Sequence, residues 1–381
     1  MGKLKEVTVY TDGDSHKIAT WSNVPYFLTN TFEAKGIKVN RVNIAFTRRK
    51  WQSLWNITAK IMNRNTLYDY SRSSMRFFFT RCMIKKMTHR YNNSQADIFL
   101  TFSFSSAGFT SRPIILFGDW TYDHAIRYFR HRKPNALEKR VIFREDVQIR
   151  QADLVFALFP AVAEYMQNRY GKDKIFYLGN VINALYVPSE KSIHQKQKMM
   201  NLLFVGGESY KVGADTLIAA FRQLKPACPN LALHIIGMNA DKWDNLPKDV
   251  FCYGYLDKGI DKERELYYKL FREATVFINT TPQWSAFSAS VEAMYFYTPV
   301  IVSPGDEFVK TFGNSGYFGF YCEENSVELL KNNILNILNH KAYPELCLKA
   351  HEAVSTFTWD VYVDKMIEKI EILLNENPDC K

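Results

Sequence analysis

The chain has 381 residues, 47% apolar and 23% charged, with a formal net charge of +10. Such a composition excludes a disordered chain, and the length favours two domains over a single core. No run approaches the roughly 18 apolar residues of a spanning helix, and six scattered cysteines without a C-x-x-C pair argue against a disulfide framework or thiolate metal site.

The opening MGKLKEVTVYTD enters a strand pattern without the apolar core of a signal peptide, so a cytoplasmic protein is expected. Val7–Tyr10 reads as a strand ending at Thr11-Asp12-Gly13-Asp14. The stretch Trp21-Ser22-Asn23 to Tyr26 leads into a helix closing near Gly36, and Val39–Ile44 is a second strand: a βαβ start. Asp12-Gly13-Asp14 has the D-x-D form that holds a metal on a nucleotide, but turn residues cluster in the same way, and no metal is expected.

Residues 41–90 carry twelve Lys and Arg against Asp69 alone, so the rest of the chain is slightly acidic. An anionic partner at one place is implied. Trp51 and Trp55 beside Arg48, Arg49 and Lys50, and Phe77–Phe79 among Arg72, Arg76 and Arg81, suit an interfacial helix against anionic headgroups. Core-facing aromatics on two ordinary helices with basic outer faces account for the pattern equally well. No nucleic-acid-binding motif accompanies the charge.

Ala96–Phe102 and Pro113–Phe117 are apolar runs of buried-strand type. The second ends at Gly118-Asp119-Trp120, at the strand edge where α/β sheets bind ligands, and Asp119 reads either as a sugar ligand or as a turn and cap residue. A helix over 138–151, a strand over 152–156, a helix over 161–170 and a strand over 174–178 complete the first α/β unit. Polar residues 188–200 read as the domain boundary. Alternation restarts at Leu202–Val205 and runs through helix 214–224, strands 233–236 and 250–253, helix 262–271, strand 276–279, helix 289–296 and strand 300–302. The pattern closes with a helix over 359–374.

The informative stretch is 201–302. Strands there feed directly into Gly- or Ser-rich turns and then helices, the arrangement that presents helix N-termini to a phosphate. Glu292 stands in an otherwise apolar and small-residue run, where an acid can grip a ribose diol.

The ensemble Phe204-Val-Gly-Gly, Lys211 with Gly213, Leu233-His-Ile-Ile-Gly237, Gly254-Tyr-Leu, Glu292-Ala-Met and Pro299-Val-Ile resembles glycosyltransferase family 4, the retaining enzymes of GT-B fold. The likeness is strong after residue 200 and weaker before it. It implies two Rossmann-like doubly wound domains facing across a cleft: 1–190 for the acceptor, 200–358 for the nucleotide sugar, and a C-terminal helix from 359 crossing back. By resemblance Glu292 holds the ribose, and Lys211 with the Phe287-Ser288-Ala289-Ser290 backbone holds the diphosphate. Gly206, Gly207, Gly237, Tyr253 and Tyr255 line the donor, while Trp21, Ser22, Asn23, Asp119 and Trp120 line the acceptor side. Lys211, Glu292 and Asp119 are the candidate catalytic residues, with no cofactor.

The chain departs from the family at three places. Trp284 stands where the first of two paired glutamates belongs, Val212 or Gly207 where a second cation belongs, and Asp119 where relatives often carry histidine. The expected reaction is transfer of a sugar from a nucleoside diphosphate to a glycan or lipid-linked hydroxyl, in cell-surface polysaccharide, O-antigen or lipopolysaccharide synthesis at the inner membrane face. A silent scaffold of the same fold is the alternative, and a sugar-nucleotide epimerase ranks behind it.

Overall fold

The structure is a computed structural model that describes residues 3–45, 53, 57, 68–171, 173–282, 284 and 286–376. The chain divides into two compact units, residues 1–180 with 359–381, and residues 181–358.

In the first unit the described strands are β1 (Glu6–Thr11), β2 (Lys38–Asn43), β3 (Ala96–Phe99), β4 (Ile114–Gly118), β5 (Leu154–Ala157) and β6 (Ile175–Phe176). They pair in parallel in the order β2-β1-β3-β4-β5-β6. β3, β4 and β5 are buried along their whole length, as expected where helices cover both faces of a parallel sheet. The described helices are α1 (Val24–Ala34), α2 (Ser74–Arg90), α3 (Tyr122–Arg130), α4 (Ala136–Gln151) and α5 (Pro160–Tyr170). α4 opens on a capping box: Asn135 accepts from the Glu138 amide while the Glu138 carboxylate accepts from the Asn135 amide.

The second unit holds β7 (Asn201–Val205), β8 (Ala232–Ile236), β9 (Val250–Cys252), β10 (Val276–Asn279), β11 (Val300–Val302) and β12 (Gly319–Tyr321). Their order is β12-β11-β10-β7-β8-β9, a doubly wound parallel order that reverses between β7 and β10. Its helices are α6 (Ile193–Met199), α7 (Lys211–Leu224), α8 (Asp261–Glu273), α9 (Phe287–Tyr295), α10 (Asp306–Phe312), α11 (Val327–Leu338) and α12 (Tyr343–Glu352). Leu217, Phe221, Leu224, Ile334 and Ile337 bring α7 and α11 into one core against β7 and β8.

The polar 188–200 stretch is not the boundary that its composition suggests, since the division falls at residue 180. α6 buries Ile193 and Lys196, whose ammonium donates to Phe271 O, Ala274 O and Thr298 Oγ1 at 2.8–3.2 Å. Three oxygen acceptors let a lysine sit inside, and burial lowers its pKa to about 7.

The last helix, α13 (Trp359–Glu376), belongs to the first unit. Trp359 stacks on Phe27 of α1 with ring centroids 6.5 Å apart, and Lys35 pairs with Asp360 and Asp364 at 2.6 and 2.8 Å. No helix of the described residues is long and apolar enough to cross a membrane.

Candidate functional site

Each sheet has a point where the strand order reverses, and the carboxyl ends of the strands there are where such sheets take ligands. In the second unit this point lies between β7 and β10. β7 runs into Gly206-Gly207 and then α7; β10 runs into Thr280-Thr281 and, farther on, α9. Gly237, just beyond β8, sits at φ +103°, and a Cβ there would stand 2.5 Å from the Gly206 carbonyl oxygen. A side chain is therefore barred both by backbone conformation and by space. A Cβ on Gly213 would lie 2.4 Å from Thr281 Oγ1, so the first turn of α7 is pressed against the loop after β10. Glycine thus keeps this edge free of side chains, with backbone packed against backbone beside the start of α7.

The expected donor side chains divide. Lys211 opens α7 at the surface, paired with Asp215 at 2.7 and 2.9 Å and lying over the Trp243 ring. In the 287–290 run, Phe287 packs on Phe308 and Phe312, and Ser290 is buried with its hydroxyl donating to Ala286 O. Their side chains belong to the core, which leaves Ser288, and in part Ala289, as the outward faces. Tyr253 turns its hydroxyl onto His234 Nδ1 at 2.8 Å, and burial holds that imidazole down near 4. Tyr255 is exposed, a ring face available to a base. Trp284 leans on Phe287 and hydrogen-bonds Tyr210, so an aromatic wall stands where the family places an acid.

Glu292 departs most from expectation. It does not stand open at the edge: the residue is 4% exposed, and both carboxylate oxygens are engaged. Lys258 donates to Oε1 at 2.7 Å and Oε2 at 3.0 Å, and the Tyr267 hydroxyl to Oε2 at 2.9 Å. Neither Lys258 nor Tyr267 carries a signal in the sequence that ties it to the site. A lysine 34 positions away carries no periodic signal linking it to the acid.

In the first unit the order reverses between β1 and β3, and there a cavity of about 440 Å³ opens. Asp12 after β1, Thr101 and Ser103 after β3, and Asp119 and Trp120 after β4 all line it, with Trp21. Three of the five expected acceptor residues thus meet in one place, while Ser22 and Asn23 form the adjoining turn. Trp21, Ser22 and Asn23 have φ of 35°, 52° and 73°, three consecutive left-handed residues without a glycine. Strain of this kind persists only where its surroundings impose it. Here the Trp21 indole packs edge-on against Phe117, beside the Asp119 carboxyl. Burial raises the Asp119 carboxyl above the usual range, opposed by the Trp120 amide and the Trp21 indole.

Glu145 of α4, unmarked in the sequence, reaches the same cavity from a buried position. It accepts from the Tyr122 amide at 2.6 Å, and burial pushes it up to about 7. Asp12 is tied to buried Arg76 at 2.6 Å, which gives the first aspartate of the D-x-D motif a structural role. Among the described residues no cluster of three His, Cys, Asp or Glu could hold a metal ion. The interfacial residues Trp51, Trp55, Arg48, Arg49 and Lys50 lie outside the described residues.

The model of the family "Glycosyl transferases group 1" matches residues 188–355, almost the whole of the unit with the glycine-built edge. This part of the chain is similar to a group 1 glycosyltransferase domain. Solved structures with the GT-B architecture align over three quarters or more of the chain. Sucrose-phosphate synthase from Thermosynechococcus elongatus is similar with a TM-score of 0.69 and 15% identity, covering 98% of this chain and 100% of its own. Anabaena HepE, solved with UDP and glucose, aligns with a TM-score of 0.62 and 15% identity over 97% and 99%. TarM aligns with a TM-score of 0.57 and 14% identity over 76% of this chain, which spans only 58% of TarM's length. At these identities the likeness establishes the GT-B fold. No curated protein matches the sequence.

Proposed function

We propose that this protein transfers a sugar from a nucleoside diphosphate to an acceptor hydroxyl, with retention at the anomeric carbon. The observation that carries the reading is the glycine-built edge, Gly206 and Gly207 against Gly237, within the stretch similar to a group 1 glycosyltransferase domain. Backbone amides and two helix N-termini there stabilise charge developing on the leaving diphosphate, with Lys211 swinging from Asp215 to join them. Ser288 and Ala289 supply the approach to the phosphates, Tyr255 flanks the base, and Glu292 contacts the ribose. No metal is required by this arrangement. Three of the similar solved structures were captured with UDP, which makes a uridine donor the first to try.

The cavity of the first unit takes the acceptor. Indole faces at Trp21 and Trp120 suit the apolar face of a sugar ring, and Asp119 suits one of its hydroxyls. A lipid-linked acceptor is supported by α2, whose exposed face carries Met75, Phe78 and Phe79 followed by Lys85, Lys86 and Arg90. Aromatics beside cations favour an anionic bilayer surface, the setting of cell-surface polysaccharide synthesis.

The deciding experiment is calorimetry with UDP, GDP, ADP, CMP and dTDP, followed by donor hydrolysis for whichever binds. One tight ligand and slow hydrolysis without acceptor support transfer. Failure of every nucleotide to bind leaves the second reading, a silent scaffold of GT-B fold, which the engaged Glu292 and the apolar Trp284 favour.

A further inference from the structure

The Glu292 carboxylate is held by more contacts than a surface ligand has. Lys258 spans Oε1 and Oε2, and Tyr267 adds a third hydrogen bond at Oε2. A carboxylate offers about four acceptor positions. Three are filled, and the one left is on Oε1. The side chain keeps 6% of its surface exposed, and with Oε2 taken by both Lys258 and Tyr267, only Oε1 keeps an acceptor position for a ligand hydroxyl.

Lys258 is itself fixed from three sides. Its ammonium donates to Asn183 O at 3.0 Å and lies over the rings of Tyr267 and Tyr268, 4.4 and 5.3 Å from their centroids. The Tyr268 hydroxyl accepts from the Leu185 amide. The cation therefore joins the loop after β9, the α8 tyrosines, the 183–185 segment and the α9 carboxylate. A buried ion pair of this kind returns little net stability compared with an apolar replacement, yet it determines orientation strongly.

We propose that Lys258 is a positioning residue that orients Glu292, so that one corner of Oε1 accepts a single ribose hydroxyl. This rests on the donor-site reading above. The recognised class is a ribonucleoside diphosphate bound through one charge-assisted hydrogen bond, in place of a two-oxygen grip on the diol. Charge-assisted bonds are shorter and about twice as strong as neutral ones, so losing the ordered anion weakens the contact even though the carboxyl remains.

The test compares affinities for UDP, or whichever of GDP and ADP binds in its place, with the 2′-deoxy and 3′-deoxy counterparts. The wild type discriminates about tenfold against one deoxy form and not the other. Lys258→Met brings that preference down to about twofold, and Tyr267→Phe, which keeps the ion pair, lowers it by a smaller factor. A merely structural lysine would weaken ribo and deoxy ligands equally and leave the ratio unchanged, which overturns the proposal. So does a wild type that discriminates equally against both deoxy forms. If Lys258→Met does not fold, as shown by the loss of cooperative melting, Lys258→Arg, which keeps the cation and changes its donor geometry, is read in its place, and an unchanged ratio there overturns the proposal. If the wild type binds no nucleotide, the donor-site reading has failed first, a result separable from either outcome for Lys258.

Discussion

The two units share an architecture and build their ligand edges in opposite ways. At the reversal point of the second sheet, Gly206, Gly207, Gly213 and Gly237 strip side chains away so that backbone approaches backbone. At that of the first, the turn is made by Trp21, Ser22 and Asn23 in a conformation that glycine would adopt without cost, and large side chains crowd in. A site that holds a diphosphate needs bare amides, since every phosphate presents the same oxygens. A site that selects an acceptor needs side chains, because shape and hydroxyl placement differ between acceptors. The strain at 21–23 is the cost of aiming an indole where a glycine turn would have left a gap.

That contrast can be broken most severely at Gly237. Gly237→Ala places a methyl 2.5 Å from the Gly206 oxygen at φ +103°, so the edge must move. Nucleotide affinity is expected to fall at least 100-fold, with a loss of roughly 2–4 kcal/mol in stability, read by calorimetry and chemical denaturation. The converse substitution, Trp21→Gly, relieves the left-handed strain while emptying one wall. Its expected signature is transfer reduced about 100-fold with nucleotide affinity unchanged, measured by product formation beside calorimetry.

Acidity sharpens the comparison next. Glu145 is held near 7 in the fold against about 4.5 in the open chain, so the folded form binds its proton more tightly. Its stabilising contribution is complete below about 4.5 and is lost as pH rises through 7, a difference of about 3 kcal/mol. Denaturation midpoints of the wild type should therefore fall from pH 5 to 8 relative to those of Glu145→Gln, which keeps the amide contact without titrating. A constant gap between the two proteins across that range would remove Glu145 from the account.

The smallest effect is expected at Lys211. Its pair with Asp215 is exposed, so Lys211→Ala should shift stability by less than about 0.5 kcal/mol. Diphosphate affinity should still drop about fivefold and monophosphate affinity barely change, as the proposed contact of this cation with the distal phosphate requires.

Much of this architecture was legible before folding. Uninterrupted apolar runs at Ile114–Phe117 and Val276–Ile278 announce parallel strands covered on both sides, and glycines at the strand ends announce a phosphate edge. Helix α3 went unmarked behind the strand end at Gly118-Asp119-Trp120, although Thr121 caps it by accepting from the His124 amide. The polar stretch at 188–200 misled because a buried lysine looks like a solvated one until its three acceptors arrive from residues 271, 274 and 298.

The sequence by itself determined the alternation of strands and helices, the repetition of that pattern into two α/β units and the glycines that keep one edge bare. Those features depend on local periodicity and on backbone freedom, which each residue carries with it. Only the tertiary structure decided the state of the charged groups. Glu292 meets Lys258 across 34 residues, Asp12 meets Arg76 across 64, and Glu145 reaches the Tyr122 amide across 23. An ionisable side chain has no fixed role in the chain, because its solvation and its partner are supplied by whatever the fold brings beside it.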